Sequence, residues 1–257
     1  MVKSPPGKHA FCVSTAAPDP RNQVLRIDWP DSSSGRARVV VTRSTCRRTG
    51  KHPSWKLGRS VHYGSDPERH AFILLNAHAA VRWYQEQPAT IYYLLDGVQH
   101  RHFPDILVDF GTRLEFWEVK PADKASDLFV QARTDLMRKE LPRFGFGYRL
   151  ALAEDLAQPG RLKAALLLAD FGRGAVTPIQ REHARRFFGG ISSISWGDVR
   201  CGMPPPLTPE VVARLTLEGD LACDWSVPIT DATEFRWVGR HESLERVARA
   251  PTISAFR

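Results

Sequence analysis

The spacing of apolar residues divides the chain into helix-like and strand-like runs. Ser65-Asp66-Pro67-Glu68 opens a helix, with a capping side chain, proline in the first turn and acid at the positive end. That helix is expected to reach about His78, with Glu68, Phe72 and Leu75 along one stripe. Residues 81–85 and 90–95 are short β-type runs separated by Gln87-Pro88, and Asp96-Gly97 is a turn signal. Residues 105–110 and 113–120 predict two more strands, joined tightly through Gly111-Thr112. Between about 123 and 141, Leu128, Ala132, Leu136 and Met137 recur at helical spacing, and residues 148–152 form a further strand. Helix, three or four strands, helix and strand describe an α/β core with a mixed sheet.

On either side of this core the pattern is looser. Residues 1–35 carry Pro5, Pro6, Pro18 and Pro20 but no apolar stretch of the kind that makes a secretory signal, and read as a flexible leader. A strand is expected near 37–42, then a basic loop to about 64. Pro159-Gly160 and Phe171-Gly172-Arg173-Gly174 place a boundary between about 155 and 177. Beyond it come a basic helix at 178–188, a short helix at 195–199, and a third capped by Thr208 and stopped by Gly219. Residues 221–225 and 234–238 could pair as a wing. The expected organisation is therefore a leader (1–35), an α/β domain (36–170) and a small winged-helix-like domain (171–257).

Composition narrows the class. The chain of 257 residues is 42% hydrophobic and 25% charged, as in ordinary globular proteins. It has no run of about 18 apolar residues, so no membrane-spanning helix is expected. Cys12, Cys46, Cys201 and Cys223 lie far apart with no C-x-x-C pair, which suits a reducing cytoplasm better than a zinc site or disulfide framework. The net charge of +8 is unevenly spread. Arg36, Arg38, Arg43, Arg47, Arg48, Lys51, Lys56 and Arg59 follow one another without an acidic residue, interleaved with His52 and Trp55. Such a stretch is expected to contact phosphates of double-stranded DNA; a basic linker is the alternative.

The candidate chemistry lies on the two central strands. Asp105 precedes Glu118-Val119-Lys120 by thirteen residues, and the hairpin should bring Asp105 alongside Glu118. Glu118 and Lys120 share a strand face with Leu114 and Phe116, so a carboxylate and an ammonium end an otherwise apolar face. Two carboxylates at close range repel unless a cation neutralises them, and oxygen ligands with open positions suit Mg²⁺. Lys120 would then orient or deprotonate a water, or stabilise charge developing on phosphate. Glu68 puts a third carboxylate on an apolar helix stripe, although a first-turn acid also favours the helix dipole with no other role.

These residues together resemble the TnsA-type endonuclease subunit of heteromeric, Tn-seven-like transposases, within the PD-(D/E)XK nuclease superfamily. Ser34-Gly35-Arg36, Gly58-Arg59 and Ser65-Asp66-Pro67-Glu68 resemble the family's basic segment and helix glutamate. Tyr84-Gln85-Glu86-Gln87-Pro88 resembles its E-Q-P-like strand end, and Pro104-Asp105-Ile106-Leu107-Val108 with Glu118-Val119-Lys120-Pro121 its two catalytic strands. The resemblance implies a restriction-endonuclease-like core followed by a winged-helix-like domain. It implies Glu68, Asp105 and Glu118 as ligands of Mg²⁺, with Mn²⁺ a possible substitute, and Lys120 as the catalytic lysine. It further implies cutting of a mobile element's 5′ ends, beside a DDE-type transposase and an AAA+ ATPase regulator, in a nucleoid-associated cytoplasmic protein. A stand-alone restriction- or repair-type nuclease is the alternative, and a DNA-binding regulator on a nuclease-like scaffold another.

Overall fold

The computed structural model describes residues 19–30, 36–37, 48–202 and 207–239. The expected strand at 37–42 falls largely outside these residues, as do Cys12 and Cys46. In chain order the first elements are β1 (Gln23–Asp28), β2 (Gly50–Ser54), β3 (Arg59–Tyr63), α1 (Asp66–Ala77), β4 (Trp83–Glu86), β5 (Thr90–Leu95) and β6 (Val98–His102). Next come β7 (Ile106–Asp109), β8 (Leu114–Lys120), α2 (Ala122–Ala125), α3 (Leu128–Glu140), β9 (Phe146–Leu152) and α4 (Ala153–Leu156). The last are α5 (Pro159–Phe171), α6 (Pro178–Phe188), β10 (Ile194–Ser195), α7 (Trp196–Arg200), α8 (Pro209–Glu218), β11 (Leu221–Ala222) and β12 (Glu234–Trp237).

The described residues up to Arg69, with Arg82–Glu154, form one compact unit; His70–Val81, with the described residues from Asp155 on, form another. The break thus falls at Glu154/Asp155 rather than 170/171, and α1 passes from the first unit to the second.

The first unit holds a four-stranded sheet in the order β4-β7-β8-β9, in which only the β8–β9 pair is parallel. This is the expected mixed sheet. A second sheet, β1-β5-β6, and the β2-β3 hairpin complete the unit's strands. The core is apolar and aromatic: Ile91, Tyr93, Phe116, Met137 and Leu141 are buried in one cluster with Tyr148. The Asp96-Gly97 signal makes the β5–β6 hairpin, with φ of 54° and 81° at its two residues. Positive φ at both positions matches the right-handed twist of the strands it joins. Gly111, at φ 80°, similarly allows the β7–β8 turn.

Several expectations fail, each for a local reason. The leader is not structureless throughout: β1 pairs with β5 across a bulge between Val24 and Arg26, and the bulge breaks the alternation that marks a strand. The supposed basic loop contains β2 and β3; the GKHPS sequence of β2 is polar and holds a proline, with only Ser54 of that strand buried. The 123–141 helix is two helices. Asp127 caps α3 by accepting from the Phe129 and Val130 N–H groups, and Leu128, expected on the core side, is 82% exposed.

In the second unit α6, α7 and α8 appear where the sequence predicts them, capped by Thr177, Ser195 and Thr208. β11 and β12 pair antiparallel, and β10 joins them in the sheet order β10-β12-β11. Trp196 packs against Phe235 in a tilted contact at 5.5 Å and meets Phe171 edge-to-face at 5.3 Å. The Pro159-Gly160 signal is a helix start rather than a boundary. Pro159 occupies the first turn of α5, and a Cβ on Gly160 would lie 2.9 Å from the Ser226 carbonyl oxygen, so glycine permits close backbone approach. Among the described residues no helix is long and apolar enough to cross a membrane.

Candidate active site

Asp105 sits just before β7 and is held by its backbone on two sides. Its N–H donates to the Trp117 carbonyl on β8 at 2.9 Å, and its carbonyl accepts from Gln87 N–H at 2.8 Å. Its carboxylate Oδ2 accepts the Val119 N–H at 2.8 Å, tying the acid to the centre of the Glu118-Val119-Lys120 run. The β7–β8 hairpin therefore does bring Asp105 beside the Glu-x-Lys strand. Burial pushes the Asp105 carboxyl up to about 7, reinforced by the charges of Glu68 and Glu118 and opposed by Lys120 and the Val119 N–H.

Glu118 has the opposite balance. Burial alone would raise it. His102, Arg133 and Lys120 outweigh that and hold the carboxyl well below its usual range. Arg133 Nη2 donates to Oε1 at 3.1 Å, and Lys120 Nζ lies 2.8 Å from the same oxygen. On Oε2 the partners are His102 Nε2 at 2.8 Å and the Tyr148 hydroxyl at 3.1 Å. Four donors on one carboxylate use its in-plane lone pairs. Burial drives the His102 pKa down despite Glu118, so a neutral ring donating through Nε2 satisfies the contact. Sequence reasoning missed His102, Arg133 and Tyr148. They come from β6, α3 and β9, and no local spacing links them to Glu118.

Glu68 is turned onto its own helix start. Its carboxylate accepts from Gly64 N–H at 2.9 Å and from Ser65 Oγ at 3.0 Å, while Ser65 Oγ accepts the Glu68 N–H at 3.4 Å. This is a variant of the capping box, in which the glutamate takes the Gly64 N–H and the Ser65 hydroxyl in place of the Ser65 N–H. Glu68 stands close enough to raise the Asp105 pKa, yet its oxygens serve the cap. Among the described residues no three His, Cys, Asp or Glu side chains form a group that could hold a metal ion. The expected trio of ligands is thus not assembled. Oxygen donors beside a carboxylate raised by its neighbours still fit a hard divalent cation, provided one donor on Glu118 gives way. Lys120, 34% exposed, is the more accessible of the two cations on Oε1.

The basic segment divides into two parts. Arg48 and Lys51 are exposed, and Lys56 lies 5.5 Å from the Trp55 ring centre; Arg38, Arg43 and Arg47 are outside the described residues. Arg59 is already engaged, donating to both oxygens of Glu86 at 2.8 and 2.9 Å, and Arg36 stands 3.9 Å from the same carboxylate. Glu86 is 1% exposed, so Arg59 answers a buried acid rather than a phosphate.

No curated protein sequence matches the chain. Residues 78–152 match the family model described as TnsA-like endonuclease N terminal. That stretch, which contains Asp105, Glu118 and Lys120 together with His102, Arg133 and Tyr148, is similar to the N-terminal domain of TnsA-like endonucleases.

Proposed function

We propose that the protein is a divalent-cation-dependent DNA endonuclease, serving as the nuclease subunit of a heteromeric transposase that cuts the 5′ ends of a mobile element. The observation that carries this reading is Lys120 Nζ, 2.8 Å from Glu118 Oε1, on a strand whose Val119 N–H holds Asp105. Hydrolysis of a phosphodiester requires an activated water and neutralisation of charge on the phosphoryl oxygens. Asp105 and Glu118 would hold Mg²⁺, or Mn²⁺ in its place, with Glu68 contributing negative charge beside Asp105. When bound, the ion lowers the pKa of a water and polarises a phosphoryl oxygen.

The chain's own residues supply the rest. Lys120 brings a positive charge to the acid pair, where it can stabilise the phosphate as charge develops. Val119 N–H orients Asp105. His102, Arg133 and Tyr148 fix the Glu118 carboxylate, so that it need not reorganise during reaction. Arg48, Lys51 and Lys56, with Arg43 and Arg47, would track the DNA backbone. The order α6-β10-α7-α8-β11-β12, with its three-stranded sheet, supports a winged-helix reading of the carboxy-terminal region. That region would dock an AAA+ ATPase regulator, with a DDE-type transposase as the partner that cuts the other strands, at work on the nucleoid in the cytoplasm.

The test is cleavage of element-end DNA by the full chain in Mg²⁺, with and without the transposase. Cutting that requires transposase is expected, and Asp105→Ala or Glu118→Ala should abolish it with DNA affinity kept or raised. Robust site-specific cutting by the chain alone would favour a self-sufficient restriction- or repair-type nuclease. Wild-type cutting by either variant would overturn the site.

A further inference from the structure

Gln87, which follows β4 and precedes Pro88, is buried at 3% exposure and holds a φ of 45°. Left-handed backbone is uncommon for glutamine, and the surroundings must hold it there. Its N–H donates to the Asp105 carbonyl at 2.8 Å, and its own carbonyl accepts from Ala37 N–H at 2.8 Å. The side-chain Nε2 faces Asp105 Oδ1 at 3.4 Å. The Oε1 atom is buried and has no hydrogen-bond partner among the described residues. The opposite amide orientation would set Oε1 against a carboxylate oxygen, so Nε2 toward Asp105 is the favourable one.

An unpartnered buried acceptor is costly, and here it lies beside the acid whose neighbours fail to complete a ligand set. Glu68 caps its helix, and both oxygens of Glu118 already carry donors. A carboxamide oxygen is a hard, neutral donor suited to the same divalent cation. Resting on the reading of the site as cation-dependent, we propose that Gln87 is a third protein ligand, its Oε1 binding the cation next to Asp105. The strained backbone then has a purpose, since it directs this side chain to Asp105 while the same residue's N–H anchors the Asp105 carbonyl.

Calorimetric titration of the DNA-free full chain with Mn²⁺ tests this apart from any cleavage. Gln87→Gly relieves the left-handed backbone and removes the donor; Gln87→Asn tolerates that backbone but is one methylene shorter. Both should fold, as checked by thermal melting, and bind Mn²⁺ at least about tenfold more weakly than wild type. Gln87→Glu keeps an oxygen at the same reach and adds charge, so it should bind at least as tightly as wild type. A merely structural role would not produce that order. Wild-type affinity in the Gly and Asn variants, or weakened binding in the Glu variant, overturns the assignment of Gln87. Asp105→Asn is the control: should it abolish binding while the Gln87 variants do not, only Gln87 is mistaken. If wild type itself binds no Mn²⁺, the cation-dependent reading falls, and Gln87's role with it.

Discussion

Arg59 offers a decisive perturbation, because sequence and structure assign it different work. Its guanidinium grips both oxygens of Glu86 at 2.8 and 2.9 Å, and Glu86 is 1% exposed. In Arg59→Met the carboxylate would stay buried, with the Arg36 guanidinium still 3.9 Å away. Breaking a buried pair from one side costs roughly 3–5 kcal/mol. Arg59 is 47% exposed and Arg36 remains, so the low end applies, about 3 kcal/mol. At a few degrees per kcal/mol for units of this size, the melting temperature should fall by roughly 10 °C. Arg59→Met with Glu86→Leu should recover most of the loss, since an apolar replacement leaves no buried charge unpaired. DNA affinity titrated against salt should keep its wild-type slope, whereas removing a phosphate-binding charge would reduce the slope by about 0.9. A single variant that melts like wild type and shows the reduced slope would refute the buried-pair account and return Arg59 to the DNA-binding surface.

Three further outcomes can be measured. Neutralising Arg43, Arg47, Arg48 and Lys51 together should lower the salt slope of duplex binding by roughly 0.9 for each phosphate no longer neutralised; an unchanged slope makes the segment a linker. Asp105 titrates near 7 in the folded protein against 3.8 ordinarily, so between those values the folded state binds more protons. The stability of the cation-free protein should therefore fall as pH rises from about 4 to about 7, and Asp105→Asn should flatten that part of the profile in urea melts. Tyr148→Phe removes a donor to Glu118 Oε2 and should cost about 1.5–3 kcal/mol in denaturant titration; no loss would mean the hydroxyl is idle.

Periodicity, capping and turn chemistry are local, and where they act the chain states its own structure. Thr90–Leu95 is a strand at its expected bounds, Pro178–Phe188 a helix at its expected bounds, and Gly219 stops α8 with a φ of 85°. The juxtaposition of Asp105 with Glu118-Val119-Lys120 was also legible, because a short hairpin and a period of two dictate which side chains meet. What the sequence could not give depends on partners far along the chain. Leu128 fits a helical stripe yet is exposed, since Asp127 starts a new helix there and turns the stripe. The positive charges around Glu118 arrive from α3 and β8, and its hydrogen-bonding ring from β6 and β9; only the packed sheets gather them. Glu68 and Arg59 have the residue types of ligand and phosphate contact, but a carboxylate or guanidinium goes to its nearest adequate partner. For Glu68 that partner is its own helix start, and for Arg59 the buried Glu86, choices set by tertiary geometry and the cost of leaving a buried charge alone.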